Sequence, residues 1–249
     1  MKTRQYKEPV EIERAGKIEL DVDYEGEDLT FQFPFRGLGN FIEVGREITG
    51  VRLELPSMAQ TASLAYAAVN KDTKYFNEVE EKIRNKWLWA FTLVRYLPES
   101  KRVYFEDISE LTGDIIKEIF SGRPDLKESD LVKKLENTKG ARAVSFSDYK
   151  TGEQTSGELG RNKFVIAHAG EEEAVKLAEV SDKFKLNPIL YVLNSVSQPE
   201  TCVSALGSGW GLGLRLLVGG NILGGSWYGF ALGYVGKKFS TGNKNEKSL

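Results

Sequence analysis

Cysteine is almost missing from this chain: Cys202 is the only one in 249 residues. An internal disulfide is therefore impossible, and nothing points to an oxidising compartment. A lone thiol with no base or cation beside it is expected to act as a small buried hydrophobe. Histidine is equally scarce. His168 stands alone in Phe164-Val-Ile-Ala-His-Ala169, with no partner nearby. That excludes a histidine-built zinc site and a catalytic triad, and a structural role is expected. A surplus of basic charge is also lacking. Lys and Arg number 34 against 36 Asp and Glu, and the basic residues form no stripe. Nucleic acid is not the expected partner. Met1–Pro9 has no apolar stretch, so no secretory signal is expected.

The sharpest absence is local. From Cys202 to Val235 there is no Lys, Glu, Asp, Gln or Met, and Arg215 is the only charge. Elsewhere the chain is rich in Lys and Glu, and 28% of all residues are charged against 41% hydrophobic. Those totals are ordinary for a globular protein with a real core. One domain over residues 1–240 is expected, with 241–249 as a mobile polar tail.

Periodicity places the elements. Leu29, Phe31, Phe33 and Phe35 alternate with small or polar residues after a turn at Gly26–Asp28, which predicts a half-buried strand. A second strand is expected over Ile48–Leu55. Ser57 and Gln60 form a capping box that opens a helix over Met58–Val69. Tyr75, Phe76, Val79, Ile83 and Trp87 predict the face of the next helix. Trp87–Val94 is an apolar run expected as a buried strand, paired with Lys101–Phe105 across Leu97–Ser100. Two short helices are expected in 107–140, the first ending near Gly122. Ala143–Phe146, Phe164–Ala169 and Leu190–Val196 read as strands. Gly170 and three glutamates open a helix whose acidic first turn suits the helix dipole. Val203–Leu206, Leu214–Val218 and Trp227–Val235 are strand candidates. Strands and helices mix without a regular βαβ alternation, so the expected class is α+β.

Several chemical readings fail on their own terms. Glu171–Glu173 point in different directions on a helix and are expected to be a solvated turn. Gly207–Gly213 has a GxGxxG-like spacing, but a dinucleotide fingerprint must open a helix, and the residues that follow favour strand. A calcium loop needs carboxylates, which the run lacks. No metal or cofactor is expected. Glu106 and Asp107 could serve an enzyme, but nothing gathers them into a site, so no catalytic residue is assigned. The 20 residues Leu216–Val235 carry no charge and precede Lys237 and Lys238. A membrane anchor is thus the alternative reading, although Gly219-Gly220, Asn221 and Gly224-Gly225 weaken a helix. No integral membrane segment is expected.

Two stretches carry a resemblance. Leu55-Pro-Ser-Met-Ala-Gln-Thr-Ala-Ser-Leu-Ala-Tyr-Ala-Ala68 resembles the helix entry of C-type-lectin folds of the formylglycine-generating type. The Gly- and Trp-rich run resembles the variable region of proteins diversified by a retroelement. Over roughly residues 30–240 the chain is similar to archaeal variable proteins of that class. The resemblance implies an α+β C-type-lectin fold with N- and C-terminal strands paired, two main helices and a small antiparallel sheet. It also implies a codon rule. Replacing adenines in AAC or AAT codons yields a set that includes Gly, Leu, Arg, Ser, Asn, Ile, Tyr, Val and Ala, but never Lys, Glu, Gln, Met or Trp.

The run keeps to that rule except at Trp210 and Trp227, which are expected to face inward as constant anchors. Leu212, Leu214, Arg215, Leu216, Asn221, Ile222 and Leu223 keep no single polarity phase, unlike a half-buried strand. The expected ligand surface is Ser208, Gly209, Gly211, Leu212, Leu214, Arg215, Asn221, Ile222, Leu223, Ser226 and Tyr228. An apolar patch with one guanidinium suits a protein ligand, variable from copy to copy, with Arg215 and Tyr228 as its anchors. The catalytic cysteine pair of formylglycine-generating enzymes cannot exist here, so that activity is not implied.

Overall fold

The computed structural model describes residues 6–208, 215–222 and 227–236. The chain opens with a three-stranded antiparallel meander of β1 (Val10–Arg14), β2 (Lys17–Tyr24) and β3 (Glu27–Phe33). Glu25 and Gly26 turn between β2 and β3 at φ of 55° and 81°. Strand β4 (Arg36–Gly39) leads to helix α1 (Phe41–Gly50).

Helix α1 corrects the strand expected over Ile48–Leu55. Asn40 accepts bonds from the Ile42 and Glu43 amides, and the Glu43 side chain returns a bond to the Asn40 amide. This capping box starts a helix, and Phe41, Val44 and Ile48 then bury one face at helical spacing. The capping box at Ser57 and Gln60 opens α2 (Met58–Asn70) as expected. Helix α3 (Lys74–Asn85) ends before Trp87, which begins β5 (Trp87–Leu97) instead of closing the helical face.

Strand β5 pairs antiparallel with β6 (Arg102–Asp107) in the expected hairpin. Helix α4 (Gly113–Ser121) ends on Gly122 in the left-handed conformation, as the sequence leads one to expect. Helix α5 (Glu128–Asn137) and strand β7 (Arg142–Ser145) follow, then the short β8 (Gly152–Glu153) and α6 (Ser156–Leu159). The strand expected at Phe164–Ala169 is helix α7 (Lys163–Ala169). The Asn162 side chain accepts from the Phe164 amide, and Phe164, Val165, His168 and Ala169 share its buried face. Helix α8 (Glu171–Asp182), β9 (Leu186–Tyr191), β10 (Glu200–Gly207), β11 (Arg215–Ile222) and β12 (Gly229–Ala231) complete the chain.

The main sheet is larger than expected and mixed. Its order is β4-β12-β5-β10-β11-β9-β8, with β6 and β7 continuing beyond β5. Strand β12 runs antiparallel to β4, so N- and C-terminal strands pair as expected, but it runs parallel to β5. A further bridge ties Phe31 to Tyr234.

Strand β5 is buried along its whole length because both faces meet a core. Leu88, Ala90, Val94 and Tyr96 pack with α2, α3, α7 and α8. Trp87, Trp89, Phe91 and Leu93 pack with α1 and α4 on the other face. Each such side chain contributes about 1.5–3 kcal/mol on burial, so this strand anchors the fold. Arg95 of β5 is buried and pairs with Glu118 at 2.6 Å and with Glu106. Thr201 donates to Glu118 at 2.6 Å, which links α4 to β10.

Candidate functional site

The C-terminal run divides into frame and surface. Strand β10 lies antiparallel between β5 and β11, and β11 runs parallel to β9. Leu216 and Val218 face the core under α2, α3, α7 and α8, while Leu217 faces the core under α1 and α4. The missing polarity phase at 216–218 therefore has a packing cause. A strand covered on both faces is apolar at every position.

Glycines in the run are also claimed by packing. A Cβ on Gly207 would lie 2.1 Å from the Lys86 carbonyl oxygen, and one on Gly229 would lie 2.8 Å from that of Trp87. At Gly220 it would lie 3.0 Å from the Phe164 ring, and the Gly220 carbonyl accepts from the Tyr96 hydroxyl at 2.7 Å. These glycines allow the close backbone approach the sheet needs.

The predicted surface residues fall in several environments. Ser208, expected on the ligand surface, is buried at the end of β10, next to Gly207 where the backbone closes on Lys86. Arg215 begins β11 and donates to Glu153 on β8 at 2.7 Å, so its guanidinium is held along the sheet edge. The Arg215 hydrogen bond, aided by one from Asn187, holds the Glu153 carboxyl below the usual range. Asn221 is half-buried, with its side-chain oxygen 3.8 Å from the Cys202 sulfur. Ile222 continues β11 opposite Val203. Tyr228 is 61% exposed. Trp227, expected to face inward, is 43% exposed and touches Trp87 only edge to face, with ring centroids 5.9 Å apart. Gly209, Trp210, Gly211, Leu212, Leu214, Leu223 and Ser226 lie outside the described residues.

The remaining candidates are accounted for by structure. His168 is fully buried, and its Nε2 lies 2.6 Å from the Ser204 hydroxyl. That hydroxyl donates to the Thr92 carbonyl, so the neutral ring donates from Nε2. Burial, helped by the charge of Arg142, pushes the imidazole down to about 3. Burial, with Glu200 adding, pushes the Cys202 thiol up to about 12, so it is no nucleophile at neutral pH. Glu106 is taken by Arg95, and Asp107 accepts from Thr92 at 2.6 Å and from Arg142 at 2.9 Å. The solvated turn expected at Glu171–Glu173 is partly wrong. Glu173 is buried beside a fully buried Lys176, which donates to Ser63 and to the Asp23 carbonyl. No group of side chains with metal-binding spacing occurs among the described residues.

The membrane alternative requires a helix over Leu216–Val235. The described parts of that segment are strands β11 and β12, and among the described residues no helix is long and apolar enough to cross a membrane.

No family model matches the sequence, and no curated protein matches it significantly. Among solved structures the chain is similar to one described as the accommodation of massive sequence variation in Nanoarchaeota by the C-type lectin fold. The TM-score is 0.55 at 12% identity, and the match covers 79% of this chain and 94% of that one. The chain therefore has an α+β C-type lectin fold.

Sequence reasoning missed Trp227 as an exposed residue and Glu153 as the partner of Arg215. A tryptophan's direction after an irregular segment leaves no periodic signal. An ion pair 62 residues apart in sequence leaves none either.

Proposed function

We propose that this protein is a ligand-binding scaffold whose C-terminal segment, within 202–235, is diversified by a retroelement to present variable binding surfaces. The ligand is a protein, and the scaffold performs no catalysis. The observation that carries the reading is the contrast inside one composition-restricted run. Residues 216–218 are buried in the frame, whereas Trp227 and Tyr228 stand exposed beside it. A rigid sheet carrying an exposed aromatic pair suits recognition of a protein, because aromatic side chains supply large contact area at low entropic cost. The similar solved structure, described as accommodating massive sequence variation, supports the same role for this fold.

The proposed variable positions are those of the composition-restricted run that the described packing does not claim for the frame. They are Arg215, Asn221, Ile222 and Tyr228, together with Gly209, Gly211, Leu212, Leu214, Leu223 and Ser226. Ser208 moves from the surface to the frame. Trp227 remains constant, because its codon lies outside the adenine rule, but it belongs to the ligand surface.

Sequencing sister copies of the gene tests this. Changes should cluster at 209–215 and 221–228 and spare 216–220, beside a reverse-transcriptase gene and a near-copy differing at adenines. Changes scattered evenly along the chain, or concentrated at 216–220, would sink the idea.

A further inference from the structure

A cleft of about 300 Å³ lies between the β2–β3 turn, the first turn of α2 and the chain at 234–235. Tyr24 and Tyr234 line it, with Leu29 and Val235 adding apolar residues. The exposed Glu25 and Glu54 also line it, and among the described residues no Lys or Arg does. A second hollow of about 180 Å³ shares Tyr24, Glu54 and Tyr234 and reaches Asp107.

The rim carboxylates differ in their commitments. Asp28 pairs with Lys7 at 3.2 Å, and Asp107 pairs with Arg142. Among the described residues no ion pair neutralises Glu25 or Glu54. Glu54 is nevertheless held in place. Its backbone bonds Tyr234 in both directions, at 2.9 and 3.2 Å. Its carboxylate lies over Gly236, where a Cβ would come within 1.7 Å of it. Burial first, with Glu54 and Asp107 adding, raises the Tyr234 phenol to about 12, so its ring stays neutral and its face electron-rich at neutral pH.

Two tyrosines and two carboxylates without an ion-pair partner among the described residues, one of them hydrogen-bonded to the Tyr234 phenol, favour a positive guest. The carboxylates do not converge as metal ligands do. A diffuse organic cation meets both features, through its charge on the rim and its body against the rings. The volume is at the small end for ligand sites and suits one side-chain-sized group. We propose that this cleft is a second binding site, apart from the positions 209–215 and 221–228 proposed to vary, for an ammonium or guanidinium group of side-chain size. The group comes either from a free amine or from an Arg or Lys side chain of a partner.

Titration of the full chain, followed by NMR shifts of the Tyr24 and Tyr234 rings, tests the site. The probes are methylguanidinium, acetyl-Gly-Arg-Gly-amide and the uncharged acetyl-Gly-norleucine-Gly-amide. At least one cationic probe should shift both tyrosines saturably, at least tenfold more tightly than the norleucine peptide. Response to methylguanidinium supports a free amine, and response to the arginine peptide alone supports a partner side chain. Glu54→Gln and Glu25→Gln, both on exposed residues, should each weaken binding about fivefold or more, while Glu81→Gln on α3 should leave it unchanged. No saturable shift, equal binding of the norleucine peptide, or indifference to both rim variants overturns the proposal. So does binding seen only when Lys237 and Lys238 are both changed to Glu, which would assign the cleft to the protein's own tail. None of these changes touches the C-terminal variable segment, so the outcome is independent of the reading proposed for it.

Discussion

Leu217 and Tyr228 belong to one glycine-rich run with one composition, yet Leu217 is 1% exposed and Tyr228 is 61% exposed. The first lies in a strand covered on both faces, and the second stands at the entry to a three-residue strand at the side of the sheet. An apolar, uncharged composition therefore has two causes in this molecule. In β11 it reflects a double core, and at Tyr228 it accompanies exposed surface. Gly207, Gly220 and Gly229 belong with the frame, since backbone and ring contacts leave no room for a side chain there.

Substitutions can break or sharpen this contrast. The largest effect is expected at Leu217→Ala. It removes a side chain buried between β11 and the core under α1 and α4, and should cost about 2–5 kcal/mol in urea unfolding. A loss below about 1 kcal/mol would mean that β11 is no frame strand.

The frame should also show in its pH dependence. His168 is held neutral in the folded protein down to about 3, whereas an unfolded chain takes up the proton near 6.5. Between those values the unfolded state binds more protons, so stability falls as pH falls below 6.5. The slope approaches about 1.4 kcal/mol per pH unit. His168→Gln should flatten it between pH 6.5 and 5, above the range in which ordinary carboxylates titrate. Equal slopes in both proteins would place the imidazole in contact with water.

Gly220→Ala should be milder, about 1–3 kcal/mol, because the Phe164 ring must yield a few tenths of an ångström. Thermal unfolding measures it. At Trp227→Ala the loss should be about 1 kcal/mol, the worth of one edge-to-face contact with half the ring already in water. Tyr228→Ala should change stability by less than about 0.5 kcal/mol. Against a protein ligand selected on the intact chain, both aromatic variants should lose at least tenfold in affinity. Tight binding that survives both changes would move the recognition surface away from this turn.

Much of the helical layer was legible before any coordinates. The box at Ser57 and Gln60 and the glycine stop at Gly122 are local chemistry, and both act where expected. The β5–β6 hairpin was legible too, since an apolar run, a Pro-containing turn and a second run are adjacent in sequence. Ile48–Leu55 and Phe164–Ala169 are ambiguous in sequence because a few apolar residues fit either period. There the caps at Asn40 and Asn162 decide for helix. The candidate surface was legible as a region but not residue by residue. Ser208 is buried and Trp227 exposed, and the neighbourhood of each is set by segments such as Lys86-Trp87, which Gly207 and Trp227 meet from more than a hundred residues away.

From composition and spacing alone came the single thiol and imidazole without partners, the capped helices, the α+β class and the singular C-terminal run. These depend on residue identity or on neighbours a few positions away. Which part of that run is frame and which is surface came from long-range packing. Strand β11 is enclosed only because helices from the first, middle and last thirds of the chain cover both faces of its sheet. The tyrosine-walled cleft likewise exists only where the β2–β3 turn, the start of α2 and the C-terminal chain meet. No local pattern records which distant segments will become neighbours.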